Sequence, residues 1–312
     1  MWLFFKIMSS MNFKIYFFLL VSFFFATSSV AQDLFKKQQI SLAEQWDLTD
    51  TKSKKSGLFK VQQYKPVYIL LGNYTNNINQ KPQSGNPNNS VPDNIPLNKV
   101  EVKFQISFKT KIFNDLMGPK LGGDIWMGYT QTSRWQVYND EISRPFRETN
   151  YEPEIMYIMA TPYEILGRKG LFAGIGFNHQ SNGRSDPMSR SWNRIVAQIA
   201  WESEDLSVIF KPWLRLKEPA DKDNNPGIEN YMGRGELMAA YGKGRHDLSM
   251  IARHSMRFGE NNRGSIRIDY ALQVWDNLKL MAQIFHGYGE SMIDFNHKQT
   301  TFGIGLSLTQ WR

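Results

Sequence analysis

The residues with the clearest chemical potential are a histidine and a serine two positions apart, His179 and Ser181, followed further along the chain by Asn193. A serine hydroxyl becomes a nucleophile when an imidazole takes its proton, and a third group can hold the imidazole in the required tautomer. An asparagine can orient the ring in this way without contributing a charge. These three residue types therefore suit acyl transfer through a covalent intermediate, provided that the fold brings them together.

A β-hairpin would bring them together. Residues two apart on a strand share a face, with Cα atoms about 6 to 7 Å apart, which lets an imidazole nitrogen reach a hydroxyl. Counting by twos from Leu171 gives an apolar series that ends in His179 and Ser181. If residues 182–190 connect this strand to the next one as an antiparallel hairpin, Asn193 lies beside His179. The spacing therefore predicts three polar groups on one otherwise apolar face.

The rest of the chain alternates in the same manner. In residues 99–112, 205–217 and 264–275, apolar side chains occupy one parity and polar or charged side chains occupy the other. A soluble β-sandwich also alternates, but roughly ten-residue segments with long charged side chains on the polar parity are typical of outer-membrane strands. The predicted fold is all-β, a twelve-stranded antiparallel transmembrane β-barrel. Its strands are predicted near residues 64–73, 99–112, 123–138, 152–162, 170–181, 191–202, 205–217, 230–242, 246–256, 264–275, 277–287 and 300–310.

The composition agrees with a barrel and excludes several other classes. The 312 residues include no cysteine, are 41% hydrophobic and 14% aromatic, and carry a formal net charge of +8. Their mean hydropathy of -0.45 excludes a multi-span helical transporter. The absence of cysteine excludes thiolate catalysis and cysteine-ligated metals. Lysines and arginines are scattered rather than clustered, so a nucleic-acid partner is not expected.

The N-terminus has the pattern of a secretory signal peptide over residues 1–31. Lys6 and Lys14 come first, an apolar run follows over residues 15–26, and the small-x-small pattern ends at Ala31. Met11 is an alternative start, because a complete signal follows it. We interpret residues 32–63 as an N-terminal arm of uncertain structure and residues 64–312 as the barrel, with the candidate catalytic site, His179, Ser181 and Asn193, on its outer face.

The connections between strands alternate in length. Short turns alternate with longer polar loops, as expected of a barrel with one periplasmic and one external rim. The Asn- and Pro-rich stretch 75–98 is expected to be a flexible loop.

Polar side chains at outward positions have two interpretations. Polar groups inside the membrane zone are costly unless they serve a function, which favours a catalytic site. The alternative is that His179, Ser181 and Asn193 are interfacial residues above the edge of the hydrocarbon. Periodicity alone leaves both interpretations open.

The residues around this pair resemble a known signature. The stretch from Asn178 to Arg194, together with residues 145–153 and 288–294, is similar to the bacterial outer-membrane phospholipase A family over about residues 60–310. The resemblance implies a calcium-dependent serine hydrolase that cleaves acyl esters of glycerophospholipids, at either glycerol position, and of lysophospholipids. It implies that Ser181 is the nucleophile, His179 the general base and Asn193 the group that orients the ring. Gly183 would offer its backbone N–H to the oxyanion.

The resemblance also implies a metal and a partner. Ca²⁺ would be held by the carbonyl of Arg184 and by Ser189, with Ser143 contributed by a second subunit. The active form would then be a homodimer in the bacterial outer membrane. Gln131 would be buried at the dimer contact, although the sequence alone leaves open that Gln131 faces the lumen.

Two other functions remain open at this stage. One is a passive outer-membrane pore or structural β-barrel, although a barrel of this size lined by Arg, Lys, Glu and Trp is expected to be filled by its own side chains. The other is a barrel hydrolase acting on the acyl chains of lipopolysaccharide.

Overall fold

The fold is taken from a computed structural model, and it describes residues 41–48, 57–118, 122–161, 164–165 and 168–311. The predicted signal peptide lies outside the described residues, as do residues 32–40 and 49–56 of the predicted N-terminal arm. No helix in the described ranges is long and apolar enough to cross a membrane.

The described chain forms one antiparallel sheet that closes on itself. Twelve strands follow one another around the ring, and pairing of β3 with β4 completes it. Two short extra strands pair with it, β1 with β3 and β6 with β7. The prediction of a twelve-stranded antiparallel barrel is confirmed. The strands are β1 (Val61–Gln63), β2 (Tyr68–Thr75), β3 (Val100–Phe113), β4 (Asp124–Trp135), β5 (Phe146–Ala160), β6 (Glu164–Ile165), β7 (Arg168–Ser181), β8 (Ser191–Glu202), β9 (Leu206–Leu216), β10 (Gly235–Lys243), β11 (His246–His254), β12 (Gly264–Gln273), β13 (Lys279–Tyr288) and β14 (Lys298–Ser307).

The connections divide the barrel into two rims. The segments 76–99, 136–145, 182–190, 217–234, 255–263 and 289–297 all emerge at one end, which we call the long-loop rim. The opposite end carries tight turns such as 203–205 and 244–245. This division matches the predicted alternation of loops and turns. It places residues 179–193 at the long-loop rim.

The outer and inner faces of the wall differ as the alternation predicts. Large aliphatic and aromatic side chains such as Ile175, Ile195 and Ile304 are exposed on the outer face. Polar residues of the alternate parity, such as Lys103, Glu154 and Gln283, are buried within the lumen. The outer face therefore suits lipid, whereas the lumen holds polar groups that must satisfy one another.

Ion pairs fill much of the lumen. Lys211 binds Glu154 at 3.0 Å, and Lys103 binds Glu290 at 2.8 Å. A cavity of about 130 Å³ remains among the charged side chains. The lumen is thus packed by its own side chains, as the sequence predicts, and does not resemble an open channel.

A short helix packs against the barrel core near the tight-turn rim, where the Leu42 N–H donates to Glu202. Helix α1 (Leu42–Gln45) begins at a capping box formed by Ser41 and Glu44. Trp46 follows the helix and packs edge-on against Trp126, with the Lys109 ammonium 3.3 Å from its ring centroid. This part of the predicted arm therefore lies within the barrel and contributes to its core.

The Asn- and Pro-rich loop, which we expected to be flexible, is instead held by buried side chains and hydrogen bonds. Val91 and Leu97 are buried, and Asn89 donates to Asp186 at 2.6 Å. Asn86 and Ser84 donate to backbone carbonyls of the 217–234 loop at 3.0 and 2.8 Å. Since amide and hydroxyl groups bond across to neighbouring loops, the loop is an ordered cover over the long-loop rim.

Candidate active site on the outer wall

Strands β7 and β8 position the predicted catalytic residues. Their antiparallel pairing sets His179 directly opposite Asn193, and Ser181 opposite Ser191. Ile175 and Phe177, which precede His179 on the same parity, are exposed on the outer face. His179, Ser181 and Asn193 therefore project from the outer wall near the long-loop rim, as the sequence predicts.

The histidine and the asparagine are in contact. His179 Nδ1 lies 2.8 Å from Asn193 Oδ1, and both side chains are half-buried. Because a carboxamide oxygen only accepts, this contact requires the proton on Nδ1. The other ring nitrogen, Nε2, is then left as the acceptor that a general base needs.

Ser181 shares the outward face of His179, two residues further toward the rim. It is half-buried and also pairs with Tyr151 of β5. Within the described part of the chain, Ser181 and His179 are not joined by a hydrogen bond. In ligand-free sites such bonds are often long and tighten only when substrate binds. The structure thus brings His179 and Asn193 into contact and places Ser181 beside them.

Gly183 follows in a conformation that favours glycine. Its φ is +62°, and a Cβ added there would lie 2.9 Å from the Tyr151 ring. Both the backbone conformation and the close aromatic ring exclude a larger residue without rearrangement. The backbone N–H of Gly183 thus belongs to a turn whose shape depends on this glycine.

The loop 182–190 is held from beneath by buried polar groups. Asn182 exchanges backbone and side-chain bonds with Arg190, whose N–H donates to Asn182 Oδ1 at 2.9 Å. The Arg190 guanidinium donates to the carbonyls of Ser189 and Asn89 at 2.7 and 2.8 Å. Burial lowers the pKa of Arg190 to about 10, which still leaves the side chain charged at neutral pH. The loop after the predicted nucleophile is therefore fixed rather than free.

The residues predicted to hold Ca²⁺ lie in two rim loops. Arg184 is exposed, and its guanidinium donates to the carbonyls of Phe146 and Arg147 at 3.0 and 2.7 Å. Ser189 is half-buried, and its hydroxyl accepts from Asn224 Nδ2 at 2.9 Å. Ser143 is exposed in the 136–145 loop with a φ of +61°.

These groups fit a hard cation in kind. A carbonyl and two hydroxyls are neutral oxygen donors, and a hydroxyl that accepts one hydrogen bond keeps a second lone pair. In the described part of the chain, no group of three or more His, Asp or Glu side chains is arranged to hold a metal. A calcium site here would thus be built from carbonyl and hydroxyl oxygens.

Gln131 lies on the outer wall, which resolves the alternative that the sequence left open. It pairs with Ile106 and with Tyr151, both of which are exposed on the outer face. Gln131 accepts from the Tyr129 hydroxyl at 3.0 Å and donates to Ser133 at 3.3 Å. Gln131, Tyr151 and Ser181 therefore form one row across three neighbouring strands.

The sequence analysis missed one charged residue at the site. Glu218 follows β9, and its Oε1 lies 3.5 Å from Asn193 Nδ2. Leu216 is the cross-strand partner of Asn193, so Glu218 lies two residues beyond that partner on the same parity. Only the register of β8 with β9 could have revealed this contact.

Comparisons with known proteins agree with the geometry. The family model of phospholipase A1 matches residues 42–308. A curated relative from Neisseria meningitidis serogroup B is 40% identical over 255 residues, covering 80% of this chain and 65% of the relative. Phospholipase A1 from Escherichia coli K12 is 39% identical over 210 residues, covering 67% of this chain and 70% of the relative. The chain thus spans about two thirds of the length of these relatives.

Solved structures give the same result. The fold is similar to outer membrane phospholipase A from Escherichia coli, with a TM-score of 0.70 and 32% identity over 81% of this chain and all of that chain. It is equally similar, at TM-score 0.70 and 34% identity, to a calcium-bound dimer of the Salmonella typhi outer membrane phospholipase, covering 81% of this chain and 93% of that one.

Proposed function

This chain belongs to the phospholipase A1 family, and from that membership and the geometry of the outer wall we propose that it hydrolyses acyl esters of glycerophospholipids, at either glycerol position, and of lysophospholipids in the bacterial outer membrane. The observation that carries the proposal is the contact between His179 and Asn193, with Ser181 beside them on a face that otherwise suits lipid. A nucleophile in this position meets the ester carbonyl at the boundary of acyl chains and headgroups, so the substrate stays in the membrane.

Ser181 attacks the carbonyl carbon while His179 Nε2 takes the hydroxyl proton. The imidazolium then protonates the leaving glycerol oxygen, the carbon–oxygen bond breaks and an acyl-enzyme remains. Water next attacks the acyl-enzyme while His179 takes one of its protons, and the bond between the acyl carbon and Ser181 Oγ then breaks. His179 returns the proton to Ser181 Oγ, and the fatty acid is released. Asn193 holds the ring throughout, because its Oδ1 accepts from Nδ1.

The tetrahedral intermediate places negative charge on the former carbonyl oxygen. The backbone N–H of Gly183 stabilises that oxyanion, and the loop beneath it is fixed by Asn182 and Arg190. Arg184 and Ser189 would hold Ca²⁺ together with Ser143 of a second copy of the chain. The bound cation would supply further electrostatic stabilisation of the oxyanion.

A second copy completes the site in this proposal. The outward position of Gln131 supports the pairing, because a polar amide facing lipid gains by burial against an equivalent partner. The calcium-bound relative is described as a dimer. The passive-pore function is not favoured, because buried ion pairs occupy the lumen.

Fatty-acid release from phospholipid in detergent micelles tests the proposal. We expect the purified protein to release fatty acid with calcium, and the rate to fall to background with a chelator. Ser181→Ala should lower kcat by about three orders of magnitude or more, while the barrel stays folded by circular dichroism. Release that persists in Ser181→Ala would exclude Ser181 as nucleophile. A profile in which lipopolysaccharide acyl chains are cleaved and phospholipids are not would exclude the substrate class.

A further inference from the structure

A carboxylate lies behind the asparagine of the proposed site. Asn193 Oδ1 faces His179 at 2.8 Å, and Nδ2 of the same carboxamide faces Glu218 Oε1 at 3.5 Å. His179 lies on β7 and Asn193 on the neighbouring strand β8, whereas Glu218 lies two residues beyond the end of β9, which pairs with β8. They form a line that runs from the imidazole toward the long-loop rim.

The hydrogen-bonding capacity of each group fixes the orientation of the Asn193 carboxamide and the tautomer of His179. A carboxylate only accepts, so Glu218 requires the NH₂ side of the Asn193 carboxamide. The carboxamide oxygen must then face His179, and the ring proton must be on Nδ1. An asparagine alone can bond to an imidazole through either side of its amide, whereas an asparagine that also donates to a carboxylate has one orientation. Glu218 thus selects the tautomer that leaves Nε2 free to act as a base.

The surroundings of Glu218 agree with a position at the membrane boundary. The side chain is half-buried. Burial and the neighbouring Asp223 raise its pKa above the ordinary value, whereas Arg215, the His179 side chain and the Asn193 hydrogen bond oppose that shift. Arg215 is itself paired with Asp223 at 2.6 Å and Glu229 at 3.1 Å. Glu218 is therefore directed to Asn193 rather than to a salt bridge of its own.

We propose that Glu218 is a positioning residue of the phospholipase site, which orients the Asn193 carboxamide and stabilises the positive imidazolium that forms during attack. The inference rests on the proposed function, because it assigns a role only if His179 is the base. A full negative charge at the end of the line favours charge on the ring more than the amide dipole does by itself. The carboxylate stands at the strand end, where its charge is less costly than it would be in the hydrocarbon zone.

Glu218→Gln tests the inference because it keeps the size of the side chain and removes its charge. We expect kcat to fall about tenfold with KM nearly unchanged, since the lost interaction is strongest in the transition state. Glu260→Gln is the matched control, because Glu260 is an exposed glutamate in a different rim loop. It should retain the kcat of the unaltered enzyme.

Two further measurements separate positioning from a structural role. Protonation of Glu218 at low pH removes its charge, so the ratio of kcat between the unaltered enzyme and Glu218→Gln should be largest at neutral and alkaline pH and shrink as pH falls. In an Asn193→Ala background, Glu218→Gln should cause a smaller loss than in the unaltered enzyme, because the part of its effect that acts through Asn193 is already absent. A tenfold loss that is independent of pH and additive with Asn193→Ala would overturn the inference. So would an unchanged kcat. Neither result would affect the proposed function, which is tested separately by the activity of Ser181→Ala and by the substrate profile.

Discussion

Polar side chains occupy two regions near the long-loop rim, one inside the lumen and one on the outer wall. In the lumen they are charged and paired with opposite charges. Glu290 binds Lys103 at 2.8 Å and Arg134 at 3.0 Å, and Arg147 bonds to Glu101 and Asp294, each at 2.8 Å. We call these six residues the lumen ion cluster. On the outer wall, the proposed catalytic side chains are instead an imidazole, a hydroxyl and a carboxamide.

The difference follows from what each region can offer a charge. A buried charge is tolerated when partners of opposite sign surround it, and the lumen supplies them. A charge facing hydrocarbon has no such partners and is costly. The proposed catalytic groups on the outer wall are therefore neutral, and the carboxylate beside them, Glu218, stands just beyond a strand end. Charge in the lumen supports the fold, whereas neutral polarity on the wall permits chemistry.

Breaking the lumen ion cluster should have the largest effect on stability. Glu290→Ala leaves Lys103 and Arg134 buried without their shared carboxylate, and removing one partner of a buried pair costs about 3 to 5 kcal/mol of unfolding free energy. Denaturant unfolding of the folded barrel in detergent measures this loss. Glu260→Ala, at an exposed glutamate, is the control and should change the unfolding free energy by less than about 0.5 kcal/mol. Equal stability of the two variants would show that the cluster does not support the fold.

The lowered pKa of Glu290 also determines how the unfolding free energy should depend on pH. Burial alone would raise the pKa of Glu290, but Arg134 and Lys103 hold it well below its usual value of 4.5. Because the pKa is lower in the folded state, the stabilisation is fully present above pH 4.5 and is lost as pH falls toward the folded-state pKa. Glu290→Ala should therefore lose less stability than the unaltered barrel between pH 5 and pH 3, measured by the same unfolding experiment.

On the outer wall, Gly183→Ala sharpens the comparison by moving a backbone donor without changing any charge. The added methyl would meet the Tyr151 ring at 2.9 Å in a turn with a φ of +62°. Displacing one oxyanion donor lowers kcat by about 100-fold. Fatty-acid release per folded protein measures the effect.

Gly244→Ala is the matched control for this prediction. Gly244 has the same φ of +62° in a tight turn at the other rim, with open space where the Cβ would be. It should pay the same conformational cost in stability, about 1 kcal/mol, with kcat unchanged. A similar fall in kcat for both variants would mean that Gly183 acts only through the fold.

Most of the wall could be predicted from alternation because lipid on one side and a polar lumen on the other impose a period of two. Strand β5 shows where the signal fails. It begins at Phe146, whereas the alternation predicts a start near residue 152. The pattern misses the first residues because Thr149 and Tyr151 occupy the outer face there, so no aliphatic side chains alternate with the polar Glu148 and Asn150. Its first third therefore reads as a loop.

The site likewise has residues whose positions the sequence predicts and residues whose positions it does not. The shared face of His179 and Ser181 follows from local spacing, and the position of Asn193 follows from one hairpin. The position of Glu218 beside Asn193 depends on the register of a third strand. The ordered conformation of the 76–99 loop depends on side-chain amide contacts to other loops. Such long-range contacts leave no periodic trace in the sequence. The catalytic, oxyanion and calcium roles of the site residues stay predictions until the variants are measured.

The smallest expected effect concerns Gln131, the polar residue on the wall that lies away from the reacting groups. Its hydrogen-bonding partners are Tyr129 and Ser133 on its own strand, which a second copy of the chain would supplement across an interface. Gln131→Ala should weaken pairing and lower the activity at low protein concentration by only a few-fold, because a side-chain hydrogen bond between transmembrane helices is worth about 0.6 kcal/mol and we expect a similar value between barrels.

Crosslinking tests this pairing directly, because the chain has no cysteine and one introduced thiol is therefore unique. Gln131→Cys should form a disulfide-linked dimer with calcium and much less of it with chelator. Ile268→Cys is the control, since Ile268 is also exposed to lipid but lies on β12, on the far side of the ring of strands. If both variants crosslink equally, contact is random collision in the membrane and the wall around Gln131 is not an interface. If only Gln131→Cys crosslinks, and only with calcium, the neutral polar row on the wall joins two copies through the same surface that carries the nucleophile.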